Sequence, residues 1–238
     1  MVMEKWNPSN LDWLPRAQQL FDSALPTGAY AHSQGLEGMV QEGWIRNMSE
    51  LKEFLVDEVA ASLIQCDLPV FRETFRAVFS GRQQEILELD RLAHALRPTF
   101  ELRQCGSRIG RQLWRMYDQL IHTESEERKQ LHRCGEFLEM HQVVVVTAIL
   151  SAIMEVEESF ALSAYCRQAV VNIVQPCIKL LTTGPAEVQE VIFDVSAHIP
   201  CWVEASLIVD LGSTGTASPY WDIASSRHQF AERRLFLS

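Results

Sequence analysis

The stretch Glu101-Leu-Arg-Gln-Cys-Gly-Ser-Arg-Ile-Gly-Arg-Gln-Leu-Trp-Arg-Met-Tyr-Asp-Gln-Leu-Ile-His122 decides the fold class. Leu102, Cys105, Ile109, Leu113, Met116 and Leu120 recur at spacings of three and four. That is the period of one apolar helix face, not the alternation of a strand. Arg108, Arg111 and Arg115 fall on another face, where long cationic side chains keep their heads in water over an apolar stem. Gly106 and Gly110, four apart, leave one flank without side chains. A glycine inside a helix costs about 1 kcal/mol relative to alanine, so the pair predicts a close neighbour. That flank is one candidate face for contact with a second copy of the chain.

Helical signals continue on both sides. Leu51–Ile64 reads as an amphipathic helix opened by an Asn47-x-x-Glu50 or Ser49 cap. Asp67 and Pro69 read as the cap and early proline of a separate helix running to Phe79, stopped by Ser80-Gly81. Glu85–Leu96 follows and ends before Pro98. Thr123-x-x-Glu126 has the form of a capping box. Phe137–Met154 is apolar nearly all round, which places it at the centre of a bundle. Its Val143–Val146 run reads as helix because of its length and the lack of neighbouring strand signals. Phe160–Leu181 should kink at Pro176, and Ala186–Asp210 at Pro200. Gly184-Pro185 marks a stop and restart.

Leu211–Pro219 is rich in Gly, Ser and Thr and reads as a mobile loop. Beyond it, Tyr220–Ser238 sets Arg227, Arg233 and Arg234 against Asp222 and Glu232. With no internal repeat or central linker, the simplest architecture is all-α. It is a single-domain helical bundle over residues 1–238, with an N-terminal arm at 1–20 and a loop and flexible C-terminal tail at 211–238.

The composition narrows the function. The 238 residues are 47% hydrophobic and 22% charged, enough apolar content for a sizeable core. Lys plus Arg number 21 against 31 Asp plus Glu, a net charge of −10. A general nucleic-acid binder wants a basic face, so nucleic acid is not an expected partner. The first ten residues lack the apolar core of a signal peptide. Val143–Met154 is too short for a bilayer, which needs about 20 apolar residues, so no membrane association is expected. Six cysteines without a C-x-x-C pair read as reduced, mostly buried thiols of a cytoplasmic protein.

Little in the chain points to catalysis or a cofactor. A G-x-x-x-x-G-K-S/T loop is absent, and Gly212-Ser-Thr-Gly215 has neither the lysine nor a preceding strand. His198 and Cys201 are three apart and form a possible ligand pair, but Pro200 disturbs their geometry. His132 and Cys134 lie near a turn. Asp22, Ser23 and His32 suggest a nucleophile with its base, yet Asp22 and Ser23 precede Pro26 and Gly28 and suit turn hydrogen bonds better. Glu157 and Glu158 look like solvated residues at a helix start. Tyr30, among small residues, reads equally as a contact residue or a half-buried tyrosine. The residues alone give a helical protein that binds rather than catalyses.

Two segments carry a resemblance. Leu20-Phe-Asp-Ser-Ala-Leu-Pro-Thr-Gly-Ala-Tyr-Ala-His-Ser-Gln-Gly-Leu-Glu37 is similar to the opening D-S-x-x-P-x-G-x-F/Y-x-H-S-x-G-L-E of the urease accessory protein family UreF. Asp22, Ser23, Pro26, Gly28, His32, Ser33, Gly35, Leu36 and Glu37 are in register. The end of the chain, from Asp222-Ile-Ala-Ser-Ser-Arg-His228 to Arg234-Leu-Phe-Leu-Ser238, resembles that family's closing segment. His141 with Val143–Val146 resembles its H-x-V-V stretch.

The resemblance implies a non-enzymatic, homodimeric assembly factor without a cofactor of its own. It implies partners in a UreD/UreH-like accessory protein, the UreG GTPase and apo-urease, whose dinickel site the assembly matures. The GTPase would bring the phosphate loop this chain lacks. On this reading Tyr30, His32, Arg227, His228, Phe230, Leu235 and Phe236 are the expected partner-binding residues, and no residue is expected to hold a metal tightly. The alternative is a direct metallochaperone, with nickel on His198 and Cys201 or on His228. A hydrolase using Ser23 and His32 is a third reading.

Overall fold

The computed structural model describes residues 11–215, 218–228, 230 and 234–236. Among these residues there are helices and no strands. In chain order the helices are α1 (Leu14–Leu20), α2 (Leu36–Gln41), α3 (residues 48–79), α4 (Ile86–Ala95), α5 (Phe100–Leu120), α6 (Glu126–Gly135), α7 (Val143–Ile153), α8 (Glu158–Val174), α9 (Cys177–Leu180), α10 (Pro185–Ser196), α11 (Ile199–Ser206) and α12 (Pro219–His228). A short 3-10 turn, Ala29–Ala31, lies between α1 and α2.

The hydrophobic α7 forms the centre, with every side chain from Val144 to Ile153 buried. The second half of α3 and the long α5 pack on it most extensively, and α4, α6 and α8 complete the ring. The helix is shorter than its apolar run suggests, because residues 137–142 approach it as a non-helical segment. Asp90 of α4 holds that approach in place. Its fully buried carboxylate accepts the backbone N–H groups of Glu139, Met140 and His141 at Oδ2, at 3.0, 2.7 and 3.0 Å. It accepts Gln142 N–H at Oδ1, at 2.9 Å. A carboxylate at a helix N-terminus also meets the positive end of the helix dipole.

The Gly106/Gly110 flank is occupied from within the chain. A Cβ on Gly110 would lie 1.9 Å from the carbonyl oxygen of His141, and one on Gly106 would lie 2.3 Å from Gln142 Oε1. The close neighbour expected from the sequence is therefore the entry to α7. This buried flank cannot be the face that meets a second copy.

Other expectations are corrected at their ends. Asp67 does not begin a new helix. Residues 48–79 form one helix interrupted by two π-helical turns, Leu55–Val59 and Leu63–Asp67. Pro69 follows the second of these, where the loosened turn accommodates a residue lacking its N–H. The Asp67 carboxylate instead accepts the Tyr165 hydroxyl at 2.9 Å and pairs with Arg97 at 2.6 Å. Burial works against the Arg97 charge, but Asp67 outweighs it and holds the guanidinium above its ordinary pKa. Ser125, not Thr123, caps α6 by accepting Arg128 N–H. Pro176 and Pro200 do not kink continuous helices. α8 ends at Val174 and restarts at Cys177, and Pro200 sits in the first turn of α11. Residues Leu14–Leu20 of the expected arm form α1, whose Ala17 and Leu20 are buried in the core. The Asn47 cap, the Ser80-Gly81 stop, the Gly184-Pro185 restart and the placing of Glu157 and Glu158 at a helix start stand as read, and Glu157 further caps α8 by accepting the Ser159 and Phe160 N–H groups.

Five of the six cysteines are buried, and Cys201 is exposed. Burial pushes the Cys66 thiol up to about 11 and those of Cys134, Cys166 and Cys177 up to about 12. Burial likewise lowers His32, His94 and His141 below the usual imidazole value. A histidine with a depressed value takes up protons more readily once unfolded, so stability drops as pH falls below about 6.5. A thiol with a raised value ionises more readily once unfolded, so stability drops as pH rises above about 8.5. Thermal melts across pH should show a plateau between these limits, with lower melting temperatures on both sides. A melting temperature still climbing from about pH 8.5 to 10 would contradict the thiol half of this expectation.

Candidate functional site: the seam between the two ends of the chain

Residues near the start and end of the sequence fold into one surface. Gly28 adopts φ +80, which lets the chain turn into Ala29–Ala31. Ala29 then packs against Cys105 and Ile109 of α5, leaving Tyr30 49% exposed. Gly35, at φ +87, and Gly38 give α2 a face without side chains. The tail helix α12 lies on that face. A Cβ on Gly38 would stand 2.5 Å from the Ala224 carbonyl oxygen, and one on Gly35 would stand 2.7 Å from Trp221 Nε1. Trp221 Nε1 donates to the Gln34 carbonyl at 2.6 Å, and its ring meets Phe54 edge-on with centroids 5.4 Å apart.

Glu37 is the centre of this seam. Its side chain is 2% exposed. Oε1 accepts Leu235 N–H at 2.8 Å and Gln41 Nε2 at 3.3 Å. Oε2 accepts Phe236 N–H at 3.0 Å and lies 3.0 Å from His228 Nε2. The other ring nitrogen, His228 Nδ1, lies 3.4 Å from Glu101 Oε2. Arg234 pairs with Glu101 Oε1 at 2.9 Å. One buried carboxylate from the opening segment thus fixes the backbone of the closing segment. In the tail, read as flexible, these described residues are seated on α2 and α5.

Tyr30, Ala31, Lys179, Arg234, Leu235 and Phe236 line a surface groove on this seam. Lys179 Nζ sits 6.0 Å from the centre of the Phe236 ring. Leu235 is 68% exposed. The groove combines two cations with aromatic and aliphatic edges, a chemistry suited to a carboxylate flanked by apolar groups.

Tyr30, Leu235 and Phe236 therefore meet in one place. His32 and His228 are buried, so they support the surface from beneath. Arg227 is exposed and pairs with Glu42 at 2.9 Å, and Phe230 is largely exposed. The sequence reading passed over Glu37, Glu101 and Lys179 as contributors. The available signal was a lone carboxylate in the otherwise apolar Gly35-Leu-Glu-Gly-Met-Val40.

The other candidates are engaged differently. Asp22 Oδ1 accepts Ala24 N–H at 2.8 Å, a turn contact. His198 stacks on Trp202 with centroids 6.4 Å apart. No group of three or more His, Cys, Asp or Glu arranged to hold a metal ion occurs among the described residues. Among the same residues no helix is long and apolar enough to cross a membrane.

Among the described residues the fold is helical, and its two ends join in a buried carboxylate seam beneath an aromatic and cationic groove. A sequence profile of the UreF family matches residues 45–196, and the chain belongs to that family. It is similar to the urease accessory protein UreF of Marinomonas sp., with 28% identity covering 94% of each chain. It is 29% identical to the urease accessory protein UreF of Alcanivorax borkumensis, over 94% of this chain and 97% of that one. Against the urease accessory protein UreF of Azoarcus sp. the identity is also 29%, over 94% and 95%.

Proposed function

We propose that this chain is a non-enzymatic adaptor of urease maturation. It acts in the cytoplasm as a homodimer and joins a UreD/UreH-like accessory protein and the UreG GTPase to apo-urease for nickel insertion. The observation that carries this reading is the seam itself. The two segments that resemble the family lie at opposite ends of the sequence, yet Glu37 fastens them together and they frame one groove. Leu36, Met39 and Ala224 of these segments belong to the core, whereas Tyr30 and Leu235 stay exposed at the groove, where a neighbour can reach them. Aromatic and arginine side chains are the residues that most often carry binding energy at such surfaces.

The metallochaperone alternative draws less support. His198 stacks on Trp202, and the described residues hold no group of three or more His, Cys, Asp or Glu placed for a metal ion. Four of the buried thiols are held in the protonated form, which is a poor ligand for a metal. Both nitrogens of His228 face carboxylates of the seam. Nickel is cargo in the adaptor reading and needs no tight site here.

The test is capture of the UreD/UreH-like protein by the full chain and by its Tyr30→Ala and Arg227→Ala variants. Tyr30→Ala is expected to weaken capture at least tenfold, the scale of a central interface residue. Arg227→Ala, already paired with Glu42, should have the smaller effect. Unchanged capture by both would reject the reading.

A further inference from the structure

Most of the described arginines have an anionic or carbonyl partner within the chain. Arg16, Arg46, Arg72, Arg76, Arg82, Arg91, Arg97, Arg128, Arg133, Arg227 and Arg234 form ion pairs. Arg103 donates to the carbonyls of Arg97 and Pro98. Four described arginines, Arg108, Arg111, Arg115 and Arg167, lack such a partner; Arg167 stands alone on α8, whereas the first three share one helix face. All three are exposed on one stripe of α5, and none has an ion pair among the described residues. In a chain of net charge −10, an unneutralised row of three cations spaced i, i+3 and i+7 is a specific departure. Like charges at such spacing oppose helix formation rather than support it. The fold gains nothing from them, because the opposite flank of α5, at Gly106 and Gly110, is the one packed on α7.

The stripe adjoins the groove. Ala29 is seated on Cys105 and Ile109, so Tyr30 stands beside the turn that carries Arg108. Arg108 acts electrostatically on His32, and Arg111 and Arg115 act on His141. At about 1.5 Å per residue the three arginines extend the surface by roughly 10 Å along α5.

We propose that the Arg108–Arg111–Arg115 face of α5 continues the docking surface of the Tyr30 groove and receives a carboxylate-rich face of the same protein partner. This rests on the adaptor reading given above. A second copy of this chain is the poorer occupant, because a two-fold contact centred here would bring the two arginine rows together. Nucleic acid is poorer too, given the acidic chain around so short a row.

The test uses the full chain with Arg108, Arg111 and Arg115 each changed to Glu, together with the single Arg111→Glu variant. Affinity for the purified UreD/UreH-like protein is measured at low and at high salt. At low salt the triple variant should bind at least about tenfold more weakly, and most of the wild-type salt dependence should vanish. Arg111→Glu should show the same direction at smaller size, which keeps the test valid if the triple variant fails to fold. Unchanged affinity and salt slope, with Tyr30→Ala still weakening capture, would overturn this proposal alone. If Tyr30→Ala and Arg227→Ala also left capture unchanged, the adaptor reading itself would fall. Loss of the homodimer by light scattering, or loss of binding to a single-stranded oligonucleotide with capture intact, would assign the stripe to another occupant and overturn it as well.

Discussion

Asp90→Ala is expected to lower the unfolding free energy by about 4 kcal/mol, more than most single substitutions. The side chain is fully buried and accepts four consecutive backbone N–H groups, from Glu139 to Gln142. Alanine fills none of them. A buried donor left without a partner costs about 1–3 kcal/mol, and water reaches only the outer part of this segment. The loss falls at the N-terminus of α7, the most buried helix, so the core loosens with it. In a chain of this length each kcal/mol shifts the melting temperature by about 2–4 °C, so a drop of roughly 10 °C should appear in a thermal melt. Asp90→Asn keeps the shape but turns an NH2 toward donors, and should lie between the two. A drop of less than about 3 °C for Asp90→Ala would show that the segment is held by something else.

Gly110→Ala attacks the same segment from the other side. In an ordinary helix interior this change gains about 1 kcal/mol. Here the added Cβ would lie 1.9 Å from the His141 carbonyl oxygen and 3.1 Å from Val143 N, both backbone atoms. Neither can rotate away, and His141 already sits at φ +57, a backbone region that non-glycine residues seldom adopt. The expected result is a net destabilisation of about 3 kcal/mol, at the upper end of overpacking costs. Gly106→Ala meets only the Gln142 side chain and should cost less. Because Asp90 and Gly110 grip one segment, their effects should not add. The double variant should lose less than the sum in urea unfolding. A stabilised Gly110→Ala protein would mean that α5 and α7 stand farther apart than the structure places them.

Both results concern the scaffold, and the scaffold positions the seam. α5 supplies Glu101 to His228 and Arg234, supports Ala29 beneath Tyr30, and carries the arginine stripe. An α5 displaced from α7 would move all three together. The Tyr30 and arginine variants are therefore best read beside a melting curve, so that a lost contact is separated from a shifted helix.

Much of this was legible in the chain. The three- and four-residue spacing over 101–122 and the Gly-Pro restart follow from local rules and hold in the structure; the apolar 137–154 is central as read, but its helix begins only at Val143. What local rules missed has a common cause. Asp67 looked like a cap because a carboxylate before a proline usually is one, but Arg97 and Tyr165, 30 and 98 residues away, compete for its oxygens. Pro176 and Pro200 were read as kinks, where neighbouring packing allowed complete breaks. Within the candidate site, Tyr30 and the tail aromatics stood out by type and by their place in matched segments. Glu37 lay in a matched segment too, but its role did not show, since its tail partners lie nearly 200 residues along the chain.

The sequence by itself determined that this protein is helical, which helix is central, and that its two ends carry its most distinctive residues, because periodicity and turn chemistry act over a few residues. Only the tertiary structure decided that those ends are one surface, that Glu37 joins them, and that the glycine flank of α5 faces inward. Each of these depends on which distant groups compete for a buried carboxylate or a bare helix face, and no local pattern encodes that choice.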